Sequence, residues 1–132
     1  MVVVLVHWLI KLGSEQDFEK HWKSMTIEKD SGLYREILTT PERNTFDPKF
    51  QSFTLESPNY RTYINVGIWS SLEAFDRAIN KYFPKATSEI NERGKTVQTI
   101  ELENFEFKLR ERIVLRRVHD RGVALPEANS IE

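Results

Sequence analysis

Hydrophobic residues along this chain recur with two rhythms, alternation in some segments and a three-to-four-residue spacing in others, and the order of the rhythms predicts the fold. Residues 2–11 alternate Val2, Val4, Val6, Trp8 and Ile10 with Val3, Leu5, His7 and Leu9. Both faces are apolar, as in a central strand covered twice. Gly13-Ser14 ends it, and Ser14 is placed to cap a helix whose third position is Asp17. Phe18, Trp22 and Met25, with His21 beside them, form the inward stripe of that helix, which is expected over 14–29 and to stop before Ser31-Gly32. Residues 33–40 mix apolar and polar groups on each face, the mark of a more exposed strand, and Pro41 ends it. In residues 61–69, Thr62, Ile64, Val66 and Ile68 alternate with Arg61, Tyr63, Asn65, Gly67 and Trp69. Ser70 or Ser71 then caps a helix over 71–82 carrying Leu72, Phe75, Ile79 and Tyr82 at helical spacing.

Between these segments the pattern is weaker. The stretch 41–59 holds prolines at 41, 48 and 58 yet also Phe46, Phe50, Phe53 and Leu55, so it reads as a long connection that packs down, with room for a short strand around 50–55. Residues 85–99 read as a further helical turn or two, disturbed at Gly94. Alternation returns over 103–118, where Phe105, Phe107, Leu109, Ile113 and Leu115 oppose Lys108, Arg110, Arg112 and Arg116. One domain over 1–118 with a tail over 119–132, either mobile or wrapped on a partner, is the expected organisation. The element order predicts an α+β, ferredoxin-like split βαβ fold, with two main helices on one face of a four-stranded antiparallel sheet. A sheet covered once has one wet face, but the first strand is apolar on both. A second copy stacked sheet to sheet, a homodimer, is the simplest cover.

Composition narrows the function classes. With 132 residues the chain buries enough surface for its own core. Nineteen Lys and Arg against 20 Asp and Glu give a net charge of −1 and no basic field, so neither nucleic acid nor a membrane surface is expected as partner. No cysteine is present, which removes disulfides, thiolate metal sites and thiol nucleophiles. No apolar run approaches the roughly 18 residues of a membrane span, and the apolar run 2–6 lacks the flanks of an export signal, so a cytoplasmic protein is expected.

The opening strand, Gly13-Ser14 with the Phe18/Trp22 helix, and Gly67-Ile68-Trp69-Ser70-Ser71-Leu72-Glu73-Ala74-Phe75 together resemble the dimeric α/β barrel superfamily. Within it they resemble the antibiotic biosynthesis monooxygenase-like domains, whose strand-end tryptophan is followed by a capped helix of the form W-x-S-x-E-A-F. The resemblance covers about 1–40 and 60–82. It implies a homodimer and leaves activity open, since relatives include cofactor-independent oxygenases, haem-degrading enzymes, isomerases, dehydratases and domains without an assigned reaction. The haem-degrading relatives carry an axial histidine shortly after the second helix. This chain has none between His21 and His119, so haem binding would need His7 or His21, and no cofactor is expected.

Period two puts Tyr63, Asn65 and Trp69 on one side, with Gly67 leaving space between the last two. In the resembled fold that mixed face lines the cavity, while Ile64, Val66 and Ile68 pack under the helices. Tyr63 and Trp69 are then candidates for substrate binding and Asn65 for holding an oxyanion; the same residues also suit a core or interface satisfied by the partner chain. His7 is the candidate catalytic base, with Tyr63 as a second, because an imidazole titrates near working pH. Arg110, within the basic stripe of the last strand, is the candidate for a substrate carboxylate. His7, His21 and His119 show no metal-ligand spacing. Two readings follow: a dimeric protein binding a small aromatic or conjugated compound, as a cofactor-independent monooxygenase or isomerase, or a non-catalytic, stress-related homodimeric module.

Overall fold

The computed structural model describes residues 1–43, 47–50, 58–82, 86–90, 92–93, 96–100 and 107–123, with the backbone alone for 82, 86–90, 96–100 and 107–110. Its elements are β1 (Val2–Lys11), α1 (Glu15–Ser24), β2 (Leu33–Thr39), β3 (Tyr60–Trp69), α2 (Leu72–Tyr82), β4 (Ala86–Ile90), β5 (Thr96–Ile100) and β6 (Phe107–Arg116). Four strands form one antiparallel sheet in the order β2-β3-β1-β6, and β4 pairs with β5 as a separate hairpin. This is the ferredoxin-like α+β architecture expected from the pattern.

Local chemistry explains where the elements end. Ser71 caps α2, its Oγ accepting the Ala74 amide at 3.1 Å. At α1, Ser14 occupies the cap position without a side-chain bond to the helix; the Gly13 amide instead donates to the Glu15 carboxylate. Helix α1 stops at Ser24, five residues short of the expected 29. The Ser24 hydroxyl donates to the His21 carbonyl at 2.6 Å and Met25 turns extended, which lets Met25 and Ile27 pack on the core from a non-helical segment. The helical turns expected over 85–99 are instead the β4–β5 hairpin. Thr87, Ile90, Thr96, Val97, Thr99 and Ile100 are β-branched, and that stiffness favours strand. The short strand considered at 50–55 falls mostly on 51–57, outside the described residues, as do 101–106 and 124–132.

Which face lies beneath the helices differs from the expectation. Strand register pairs Trp8 with Tyr63, Val6 with Asn65 and Val2 with Trp69, and this is the covered side. Val4, Val6, Trp8 and Ile10 join Phe18, Tyr63, Trp69, Ala74 and Phe75 in the core. Ile64, Val66 and Ile68, expected beneath the helices, point the other way. Aromatic area decides it: the Tyr63 ring meets Phe18 of α1 at 4.8 Å, and the Trp69 ring meets Phe75 of α2 edge-on at 5.5 Å. Trp8 closes the α1 end against Phe18 at 5.2 Å.

The far side of the sheet is largely aliphatic, and among the described residues neither helix covers it. Val3, Leu5, Ile64, Val66 and Ile68 are half-buried there, and Ile37, Ile113 and Leu115 are 38–45% exposed. The two-sided apolar character of β1 read from the sequence is therefore real.

Candidate functional site

Asn65 projects from the middle of β3 toward the helices and is 6% exposed. Its Nδ2 donates to a carboxylate oxygen of Glu36 on the neighbouring β2. Glu36 reaches this side because β2 carries a bulge between Leu33 and Arg35, so that Leu33, Glu36 and Leu38 all face the helices. Burial pushes the Glu36 carboxyl above its ordinary value, and the Asn65 hydrogen bond opposes that rise. Across the strand pair, Glu36 stands opposite Gly67.

Gly67 has a specific task. A side chain there would collide with Trp69, whose Nε1 lies 2.6 Å from where a Cβ would stand. The space that the glycine leaves is thus occupied by the Trp69 indole, folded back along its own strand toward Asn65. Trp69 is 1% exposed, and its Nε1 hydrogen has no acceptor among the described residues. Asn65 Oδ1 likewise has no donor among them. A buried donor and a buried acceptor, both unsatisfied among the described residues and both on the Gly67 side of β3, form an uncommon arrangement.

Tyr63 lies on the same side, 5% exposed, its hydroxyl donating to Glu19 Oε2 of α1 at 3.0 Å. Burial, then this bond to a carboxylate, pushes the phenol up to about 12. It stays protonated near neutrality, its hydroxyl serving as a hydrogen-bond donor.

His7 is on the opposite side of the sheet. Its partners across the strands are Ile64 and Glu111, so the sheet itself separates it from Asn65. His7 and Asn65 do not converge within one protomer. Glu111, 8% exposed, is ion-paired to Arg93 from the β4–β5 turn at 3.2 Å. Arg110 stands opposite Trp8 in the β1–β6 register, two strand spacings, roughly 10 Å, from β3. Farther along β6, Arg112 pairs with Asp76 of α2 at 2.7 Å and lies over the Phe75 ring at 5.7 Å, tying that edge to the helix layer. His21, in the last turn of α1, is half-buried, and desolvation lowers its pKa. Among the described residues no group of three or more His, Asp or Glu is placed to hold a metal, and no helix is long and apolar enough to cross a membrane.

Sheet order and helix placement define the class: the chain has a ferredoxin-like α+β fold, a four-stranded antiparallel sheet with two helices on one face, as in antibiotic biosynthesis monooxygenase-like proteins. Among solved structures it is similar to a single-site, arginine-to-serine mutant of MhuD, crystallised with two manganese protoporphyrin IX bound per active site. That likeness has a TM-score of 0.56 and 17% identity, and covers 93% of this chain and 100% of the other. No protein-family model and no curated protein sequence matches the chain.

Proposed function

We propose that the protein binds a small aromatic or conjugated organic molecule beside Gly67, beneath its helices, and acts on it as a cofactor-independent oxygenase or isomerase. The carrying observation is the pair of buried, unsatisfied atoms, Trp69 Nε1 and Asn65 Oδ1. Together they would hold a ligand presenting both an acceptor and a donor. The MhuD likeness supports a fold able to hold a flat conjugated molecule. A porphyrin itself does not fit the described residues. The rings of Tyr63 and Trp69 already touch Phe18 and Phe75, and His7 faces away from them.

The aliphatic far face supports a homodimer, with Leu5, Ile64, Val66 and Ile113 of two copies stacked against each other. His7 would then sit in the interface. The same ring contacts that exclude a porphyrin favour a second reading, a non-catalytic homodimeric binding module whose core is simply full. Native mass spectrometry of the purified protein separates these: a dimer retaining a small organic ligand supports the first, a bare dimer that takes up no aryl compound supports the second. A monomer at micromolar concentration overturns the assembly common to both.

A further inference from the structure

We propose that Glu36 is the proton-accepting group of this site and that its substrate is a small, uncharged α-hydroxy ketone with an aromatic or conjugated substituent. The inference rests on the ligand-binding reading above and names the substrate class and the reaction. Three polar groups converge on Gly67, the residue of β3 that lacks a side chain. Glu36 is its cross-strand partner, Asn65 precedes it by two positions on the same face, and the Trp69 indole lies over it. The carboxylate is the base; the other two are an unsatisfied acceptor and an unsatisfied donor. A hydroxyl next to a carbonyl offers the complementary donor and acceptor, the hydroxyl donating to Asn65 Oδ1 and the carbonyl oxygen accepting from Trp69 Nε1. A second anion beside a buried carboxylate would be repelled and poorly solvated, which selects a neutral substrate.

The reaction these groups support is migration of the carbonyl. Glu36 takes the proton from the carbinol carbon. The freed C–H electron pair forms the C=C bond of an enediolate while the carbonyl π pair moves onto its oxygen, where Trp69 Nε1–H donates to it. The hydroxyl hydrogen passes to that adjacent oxyanion, and the Glu36 carboxylic acid returns its proton to the former carbonyl carbon. One C–H and one O–H have each moved by one position, with no oxidant or cofactor. The raised pKa of Glu36 suits it to both taking and returning a proton near neutrality.

The probe is 1-hydroxy-1-phenylpropan-2-one, whose product is 2-hydroxy-1-phenylpropan-1-one. Proton NMR in deuterated buffer follows exchange at the carbinol carbon and growth of the isomer, and tryptophan fluorescence follows binding, with Trp69→Phe as its control. The wild type is expected to bind the ketone and exchange it well above buffer, at a rate that rises with pH as Glu36 ionises. Glu36→Gln should keep binding and lose at least about 100-fold in exchange, the usual weight of a general base. Glu36→Asp, which withdraws the carboxylate by one methylene, should fold like the wild type by circular dichroism and lose about 10-fold or more. Binding without exchange in the wild type, or undiminished exchange in either Glu36 variant, overturns the inference and leaves the ligand-binding reading standing. No binding of this ketone at millimolar concentration overturns the inference; loss of binding across a panel of aryl ketones overturns the site as well.

Discussion

Replacing Gly67 by alanine tests the geometry on which the site depends. The added methyl would stand 2.6 Å from Trp69 Nε1 and 3.2 Å from its Cδ1, where unstrained heavy-atom contact begins near ~3.5 Å. Trp69 is 1% exposed and wedged edge-on against Phe75 at 5.5 Å, so the ring has nowhere to swing without opening the α2 layer. Overpacking of this kind costs about 1–3 kcal/mol. The backbone of Gly67 is not left-handed, so alanine adopts it, and the lower entropy of the unfolded chain returns about 0.4–1 kcal/mol. A net loss of about 1–2 kcal/mol follows, lowering Tm by about 4–8 °C for a domain of this size. Thermal melts by circular dichroism at fixed protein concentration, alongside the tryptophan emission maximum, measure it. In a Trp69→Phe background the same substitution should cost less, because the colliding Nε1 is gone, giving a coupling of about 1 kcal/mol in the double-mutant cycle. If Gly67→Ala melts at or above the wild type, the indole does not lie over this glycine.

Gly32→Ala should be worse, at about 2–4 kcal/mol by thermal melts, because φ is +97° there and the new Cβ would meet Ser70 Oγ at 2.5 Å and Ala74 Cβ at 2.8 Å. Asp76→Ala should cost no more than about 1 kcal/mol, since its ion pair with Arg112 is 40–48% exposed; Arg112→Ala should cost more, by uncovering Phe75. Glu36→Gln should change the pH dependence of stability, read as Tm against pH. The folded-state pKa of Glu36 is raised, so the native state holds that proton more tightly than the unfolded chain, and stability falls as pH climbs from the ordinary carboxylate range through the raised value. The variant lacks this loss, so its Tm advantage should widen across that window and then level off; a gap independent of pH would show that Glu36 is not desolvated.

The order of the four sheet strands and two main helices, and the class, are legible in the chain because they depend on local periodicity: alternation at 2–11 and 61–69, helical spacing within 14–29 and 71–82, and turn residues between them; the weaker pattern of 85–99 read as helical turns where the fold has the β4–β5 hairpin. The grouping of Tyr63, Asn65 and Trp69 on one face, with a gap at Gly67, follows from the same period of two. Periodicity is a property of one strand, and it cannot say which of two apolar faces will meet the helices. That choice is made by Phe18 and Phe75, whose rings take Tyr63 and Trp69 in preference to the aliphatic Ile64, Val66 and Ile68. The separation of His7 from Asn65 depends on the register between β1 and β3, a long-range pairing that no single segment encodes. Glu36 is hidden more thoroughly, since between Arg35 and Ile37 it reads as an ordinary edge charge. Only the bulge after Leu33 turns it inward, and bulges are settled by how one strand docks on its neighbour. Local pattern thus determines the elements and their apolar faces, whereas the identity of the covered face and the partners of Asn65 emerge when those elements compete for the same buried volume.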